Sequence, residues 1–130
     1  SDPRHAAYFK RSLSHNVVMH GGHGQMDDLD DLGTKFMGRI ASTLLAPGYR
    51  HVLADATGPW EGVYRRYYRS FLWIGGFILM ADELMAWDEG EWTALFHYAG
   101  EAVVRSDGFD VVNGGRTLRA TFIDPVPRKL

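Results

Sequence analysis

Short groups of turn-forming residues recur along this chain roughly every 8–15 residues, and this spacing limits what the chain can fold into. Glycine and proline interrupt regular structure, while asparagine and aspartate favour tight turns. The groups are Gly21-Gly22, Pro47-Gly48, Gly58-Pro59, Gly75-Gly76, Asp88-Glu89-Gly90, Asp107-Gly108 and Asn113-Gly114-Gly115. No long segment between them has helical periodicity. The spacing predicts an all-β fold, an antiparallel β-sandwich of about 9–11 strands with at most one short helix.

The segments between these turns supply the predicted strands. We expect the upstream strands near Tyr8–Ser12, His15–His20, Lys35–Ser42, Tyr49–Ala54, Gly62–Trp73, Phe77–Leu84 and Trp92–Tyr98. EAVVRS, FDVV and RTLRATFI then form a C-terminal meander. Asp107-Gly108 makes its first turn, and Asn113-Gly114 makes its second as the two central residues of a type I′ turn.

One short helix is predicted, because Met26, Leu29 and Leu32 recur every three residues and Gly33 follows as a C-terminal cap. The chain has no internal repeat and no linker. We therefore expect residues 1–124 to form a single β-sandwich domain, and residues 125–130 to be a C-terminal tail on its surface.

Composition excludes several classes of protein. The 130 residues are 45% hydrophobic, which is typical of a globular domain, and the net charge of −2 does not indicate a nucleic-acid partner. The chain has no cysteine, so it can form neither disulfides nor thiolate zinc sites. The longest apolar run, Phe71–Ala81, is shorter than the roughly 20 residues of a membrane span. The first residues, SDPRHAAYFKRS, contain no apolar core segment, so we expect no signal peptide in this stretch.

The stretch SHNVVMHGGHGQMDDLDD has the densest group of potential metal ligands. His20 and His23 could chelate a metal ion, or they could be solvated residues beside a glycine turn. Asp27-Asp28-Leu29-Asp30-Asp31 could bind calcium. However, it lacks the alternating ligands and closing glutamate of an EF-hand loop, so the acidic face of a short helical turn is favoured.

His15 lies near the start of the same stretch. Strand alternation places His15 on one face with Val17 and Met19, and His20 on the other face. Because its face is apolar, His15 is expected to be partly buried, and it should not share a ligand sphere with His20.

The segment Tyr64–Arg69 alternates tyrosine with arginine and has two interpretations. Arginine binds carboxylates and sulfates through two parallel hydrogen bonds, and aromatic rings stack on sugars, so the segment could bind an acidic polysaccharide. Alternatively, its arginines pair with acids on the next strand, such as Asp82 and Glu83. The pattern favours this second interpretation, in which the arginines pair with acids within the sheet.

The order of these segments resembles the later part of the heparinase II/III-like domain of bacterial polysaccharide lyases. The matching positions are Ser12 to Gln25, Asp55-Ala56-Thr57 with Trp60, Arg69, Asp82-Glu83-Leu84, and Trp92 with His97. The resemblance implies an antiparallel β-sandwich that follows an α/α toroid in one polypeptide. It also implies β-elimination of uronate-containing glycans, such as alginate or glycosaminoglycans.

The resemblance further implies particular site residues. His15 occupies the place of a zinc ligand, while the other ligands of that zinc have no counterpart in this chain, so the ligand set is incomplete. Arg65, Tyr67, Arg69 and His23 are the expected substrate-binding residues. The catalytic residues are unknown, because the toroid that carries the usual catalytic tyrosine is absent. The segment alone is therefore expected to be inactive.

Three functions follow as expectations. The first is the β-sandwich portion of such a lyase, binding an acidic polysaccharide and located in the periplasm or secreted. The second is a non-catalytic carbohydrate-binding or assembly module. The third is a small metal-dependent enzyme centred on His20 and His23. The partial sandwich would leave strand edges open, so we expect a homo-oligomer or association with a missing N-terminal domain, and no nucleic-acid partner or membrane span.

Overall fold

The computed structural model describes residue 4, residues 11–25 and residues 36–123. The sheets in this part of the chain are antiparallel, which confirms the predicted all-β fold class. Its nine strands are β1 (Val18–His20), β2 (Arg39–Ala46), β3 (Tyr49–Asp55), β4 (Tyr64–Ile74), β5 (Phe77–Ala86), β6 (Trp92–Ala94), β7 (Glu101–Arg105), β8 (Gly108–Asn113) and β9 (Arg116–Thr121). Short 3-10 turns lie at Ser12–Ser14 and Gly58–Trp60. Among the described residues, no helix has the length and apolar character needed to cross a membrane.

Some predicted elements differ from the structure at their ends. The predicted helix at Met26–Leu32, the tail at 125–130 and most of the strand at Tyr8–Ser12 lie outside the described residues. The prediction that a strand begins at His15 is wrong, because Ser12–Ser14 forms a 3-10 turn and β1 begins only at Val18. β2 begins and ends four residues later than the predicted strand at Lys35–Ser42.

The chain divides into two compact units, Ser1–Leu95 and Phe96–Leu130. The first unit contains a two-stranded sheet, β1-β6, and a four-stranded sheet in the order β2-β3-β4-β5. The second unit contains a three-stranded sheet, β7-β8-β9. The single domain expected over residues 1–124 stays a prediction.

Tight turns join the strands of the four-stranded sheet where the glycine pairs predicted them. Ala46 pairs with Tyr49 across Pro47-Gly48, and Ile74 pairs with Phe77 across Gly75-Gly76. Gly48 and Gly75 have φ angles of 87° and 55°, which only glycine adopts without strain from a Cβ atom. These two turns lie at the same end of the sheet, which we call the distal half.

A β-bulge interrupts β4 near its start and decides which side chains enter the core. Tyr64 pairs with Ala86 and Arg66 pairs with Met85, so Arg65 is an extra residue with no opposite number on β5. Residues three apart in a regular strand face opposite sides of a sheet. Because of the extra residue, Tyr64 and Tyr67 face the same side, and both are 2% exposed.

Aromatic side chains form the core of the first unit. Trp60 is fully buried, and Tyr64 and Tyr67 pack against it with ring centroids 5.2 and 5.5 Å away. Val18 and Met19 from β1 complete the buried cluster. This cluster therefore joins the two-stranded and the four-stranded sheets of the first unit.

The distal half of the four-stranded sheet leaves large apolar side chains exposed on both faces. Trp73 pairs with Ile78, and these neighbours share one face; Ile74 and Phe77 share the other. All four are more than half exposed, Phe77 most of all at 81%. Large contiguous apolar patches are rare on monomeric proteins, so a sheet with such residues on both faces normally packs against another surface.

The second unit is the predicted C-terminal meander, but each turn lies one residue away from its predicted position. Arg105 pairs with Gly108, so Ser106-Asp107 is the first turn. A Cβ atom on Gly108 would lie 2.0 Å from the carbonyl oxygen of Ala120, which explains why glycine occupies the strand there. Asn113 pairs with Arg116, so Gly114-Gly115 is the second turn, with φ angles of 56° and 78°. The prediction that Asn113 is a central turn residue is wrong, since the two glycines supply both positive φ angles.

Candidate functional site

The segment between β3 and β4 is ordered by its own polar side chains. One carboxylate oxygen of Asp55 accepts a hydrogen bond from the Thr57 N–H at 3.0 Å, and the Thr57 hydroxyl accepts one from the Tyr67 N–H at 3.1 Å. Burial acts to raise the pKa of Asp55. The hydrogen bonds from Thr57 and the charge of Arg39 outweigh burial, so the pKa is lowered. Pro59 lies in the 3-10 turn that follows, which ends at the buried Trp60.

Two tyrosine hydroxyls bind the backbone of Val18. The Tyr64 hydroxyl donates to the Val18 carbonyl oxygen at 2.7 Å, and the Tyr67 hydroxyl accepts from the Val18 N–H at 3.0 Å. On the β6 side, the Val17 carbonyl oxygen accepts a hydrogen bond from the Leu95 N–H, and the Gly21 N–H donates to the Glu91 carbonyl oxygen. Because backbone groups alternate in direction along an antiparallel strand, the N–H and carbonyl groups of Val18 point away from β6. The tyrosines therefore occupy the edge of β1 that faces away from β6, where none of the nine described strands pairs with it.

These tyrosines are poor candidates for a catalytic base. Burial, reinforced by Tyr67 and Asp82, raises the pKa of Tyr64 far above its ordinary value. Burial also raises the pKa of Tyr67, and it outweighs the lowering effect of the Arg69 charge. Both phenols stay protonated at neutral pH and serve the packing of the two sheets.

Arg69 is held by interactions within the protein. Its guanidinium donates to both carboxylate oxygens of Asp82, at 2.7 and 2.8 Å, to the Tyr67 hydroxyl at 3.1 Å and to the Asn16 carbonyl oxygen. Burial acts to lower the pKa of Arg69, but bonding to Asp82 raises it overall. Arg66 likewise pairs with Glu83. For these two arginines, the interpretation of pairing with acids on the next strand is confirmed.

Arg65 differs from both of these arginines. It is exposed, and its guanidinium lies over the ring of Trp87 at 4.5 Å from the ring centroid, a cation–π contact. Within the described part of the chain, no carboxylate pairs with it. Trp87 itself is 57% exposed, and its backbone N–H donates to the Val63 carbonyl oxygen.

Arg65 and Trp87 lie in an open cleft of about 630 Å³. The residues that line it are Phe36, Thr57, Gly58, Glu61, Gly62, Tyr64, Arg65 and Trp87. The cleft is open to solvent, so a ligand bound there would keep part of its surface exposed. The cleft combines an exposed aromatic ring with a cation and an anion, which suits a charged, partly apolar ligand such as a sugar acid.

The four predicted substrate-binding residues are not brought together here. Arg65 lines the cleft, whereas Tyr67 is buried in the core and Arg69 is bonded to Asp82. His23 is exposed in the turn after β1. Trp87 and Glu61 were missed by sequence reasoning. Trp87 could have been found as an aromatic residue that follows a strand and precedes the turn signal Asp88-Glu89-Gly90.

The HGGH motif forms a tight turn. His20 and His23 pair across Gly21-Gly22, and the His23 N–H donates to the His20 carbonyl oxygen at 2.9 Å. Both glycines have positive φ angles, 58° and 78°, as a type I′ turn requires.

The two histidines of this turn have unlike surroundings. His23 is exposed, whereas His20 is 3% exposed with its ring 4.4 Å from Trp92. Its Nε2 lies 3.1 Å from the Asp88 carbonyl oxygen and 3.3 Å from an Asp88 carboxylate oxygen. The expectation that both histidines are solvated is therefore wrong for His20, because Asp88, Trp92 and Gly90 enclose its ring.

The fit of a metal to these residues is poor. Within residues 11–25 and 36–123, no group of three or more histidine, cysteine, aspartate or glutamate side chains could hold a metal ion. His15 is exposed and ends the 3-10 turn, so the expectation that it is partly buried in a strand is wrong. The acids from Asp27 to Asp31 lie outside the described residues. A zinc role for His15 stays a prediction that needs ligands from other residues.

Comparison with known protein families finds no match for this chain, and comparison with curated proteins finds none either. The resemblance to heparinase II/III-like lyases therefore depends on the sequence motifs alone.

Proposed function

We propose that this chain binds uronate-containing acidic glycans through the Arg65–Trp87 cleft, as the β-sandwich portion of a heparinase II/III-like polysaccharide lyase. The main support for this proposal is that the exposed guanidinium of Arg65 lies over the half-exposed ring of Trp87. A guanidinium held in this way can bind the uronate carboxylate through two hydrogen bonds, while the aromatic surface packs on the sugar ring. The other arginines of β4 are already paired, so they do not compete for the ligand.

The proposed role matches what β-elimination requires from a binding surface. The carboxylate of the uronate must be neutralised before the proton on C5 becomes acidic enough for a base to remove, and an acid must protonate the departing O4. Arg65 would neutralise the carboxylate. The buried tyrosines of β4 are bonded to Val18, so the base and the acid would come from another part of the parent enzyme.

Calorimetric titration with unsulfated oligouronates tests the proposal. We expect the Arg65→Ala and Trp87→Ala variants to bind roughly tenfold more weakly or worse, since a charge-assisted hydrogen bond contributes about 1.5–3 kcal/mol. Arg66→Ala is the matched control, because Arg66 is a neighbouring exposed arginine that pairs with Glu83 outside the cleft. Equal weakening in the Arg65 and Arg66 variants would show that general charge, rather than the cleft, binds the glycan.

A non-catalytic carbohydrate-binding module is the second candidate. It is favoured by the engagement of the core tyrosines in structural hydrogen bonds. Absorbance of the unsaturated uronate product separates the two candidates when the parent polypeptide is available. Turnover that depends on Arg65 supports the lyase, and binding without turnover supports the module.

The exposed apolar faces of the distal half support association with another protein surface, either a second copy of this chain or a further domain of the parent polypeptide. Trp73 and Ile78 on one face, and Ile74 and Phe77 on the other, would be covered by it. Sedimentation velocity at rising concentration tests the second copy. A wild-type dimer that the Trp73→Thr substitution dissociates would support the second copy. A protein that stays monomeric at every concentration would rule out the second copy and favour a further domain of the parent polypeptide. A parent enzyme that degrades such glycans would act in the periplasm or outside the cell.

A further inference from the structure

Glu61 introduces a negative charge into the cleft that is proposed to bind an acidic glycan. It lines the same cleft as Arg65, and it is exposed. Across the described part of the chain, no cation pairs with its carboxylate, and Arg65 contacts Trp87 instead. The cleft therefore presents one cation and one anion, and neither forms an ion pair with another side chain in residues 11–25 or 36–123.

A cation and an anion in one cleft can discriminate among acidic glycans. An unsulfated uronate unit offers one carboxylate, which suits Arg65, and several hydroxyl groups that can donate hydrogen bonds to a carboxylate such as Glu61. A densely sulfated unit would bring a further anion close to Glu61. Like charges within a few ångströms of each other repel, and the carboxylate cannot accept a hydrogen bond from a sulfate.

We infer that the cleft selects uronate glycans that lack sulfate groups, and that Glu61 is the residue that sets this selection. The inference rests on the proposed glycan-binding function and names the class of glycan that the cleft takes. Glu61 acts as a specificity-determining residue through repulsion of the competing ligand, while Arg65 supplies the attraction.

The test compares two acidic oligosaccharides of the same backbone and length, a heparin oligosaccharide and its desulfated, N-acetylated form, by calorimetric titration at 0.15 M ionic strength. We expect the wild-type protein to bind the unsulfated chain a few-fold more tightly, because repulsion between solvent-exposed charges is weak and screened at this ionic strength. In Glu61→Gln the ratio should fall towards one, because affinity for the sulfated chain rises. Glu83→Gln is the control, since it removes an exposed carboxylate that lies outside the cleft. It should leave the ratio unchanged.

Several results would overturn the inference. Equal affinity of the wild-type protein for both oligosaccharides would do so, as would equal loss of both affinities in Glu61→Gln. Tight binding of a glucosamine oligosaccharide with free amines, lost in Glu61→Gln, would show instead that the carboxylate recruits a cation. Glu61→Ala repeats the measurement without the amide. Failure of the proposed function looks different, because the wild-type protein would then bind neither acidic oligosaccharide.

Discussion

The hydroxyl group of Tyr64 donates a hydrogen bond to the carbonyl oxygen of Val18 at 2.7 Å, and so joins the two sheets of the first unit. Removal of a buried partner leaves the other group without a hydrogen bond, which costs about 1–3 kcal/mol. We therefore expect Tyr64→Phe and Tyr67→Phe each to lower the free energy of unfolding by that amount in urea titrations. Tyr49→Phe is the control, because Tyr49 is 38% exposed on β3. Unchanged stability in Tyr64→Phe would show that water replaces the hydroxyl.

Neighbouring acids on β5 should contribute unequally to stability. Asp82 binds Arg69, and their side chains are 14% and 15% exposed, whereas Glu83 binds Arg66 with both side chains far more exposed. Loss of one partner from a mostly buried pair costs about 3 kcal/mol, while exposed pairs contribute about 0–1 kcal/mol. We expect Asp82→Ala to destabilise the protein strongly and Glu83→Ala to change little in the same urea titrations. Similar effects from both would mean that Arg69 finds other acceptors.

The lowered pKa of Asp55 predicts that the folded protein loses stability in acid. Its pKa in the folded protein lies below the ordinary value of 3.8, so the unfolded chain binds the proton more tightly. The ionised Asp55 carboxylate therefore stabilises the folded protein fully at pH values above 3.8. This stabilisation is lost as the pH falls from 3.8 through the pKa of the folded state. We expect the melting temperature of the wild-type protein to fall more steeply below about pH 4 than that of Asp55→Asn, which keeps an acceptor for Thr57. Glu89→Gln, which removes an exposed loop carboxylate, should retain the wild-type slope.

The HGGH turn depends on backbone conformation. Gly21 and Gly22 have φ angles of 58° and 78°, and a Cβ atom on Gly22 would meet no atom within 4 Å. The effect of a substitution at Gly22 is therefore conformational strain, about 1–2 kcal/mol for alanine. Gly21→Asn should be tolerated better than Gly21→Ala, since asparagine is favoured at the first position of type I′ turns. Equal thermal stabilities of the two Gly21 variants would contradict this assignment of the turn.

Sequence patterns predicted the features of this fold that neighbouring residues determine. Pro47-Gly48 and Gly75-Gly76 were predicted as turns because glycine there adopts backbone angles that other residues avoid. The burial of His20 was missed, because it depends on Asp88, which lies 68 residues away along the chain. The bulge at Arg65 was missed for the same reason, since it exists only in the pairing with β5. As a result, pattern alone could not show that Arg65 enters a cleft while Arg69 is bonded within the sheet.

The bulge in β4 also bears on how such a cleft could arise. Tyr64 and Arg66 pair with adjacent residues of β5, so a chain without Arg65 would form a regular ladder with both core tyrosines still on the same face. In the β4–β5 ladder, Arg65 therefore has the place of a single inserted residue, which one added codon would encode. A lineage could gain or lose the cation of the cleft in a single mutational event, with the aromatic core and its hydrogen bonds to Val18 left intact.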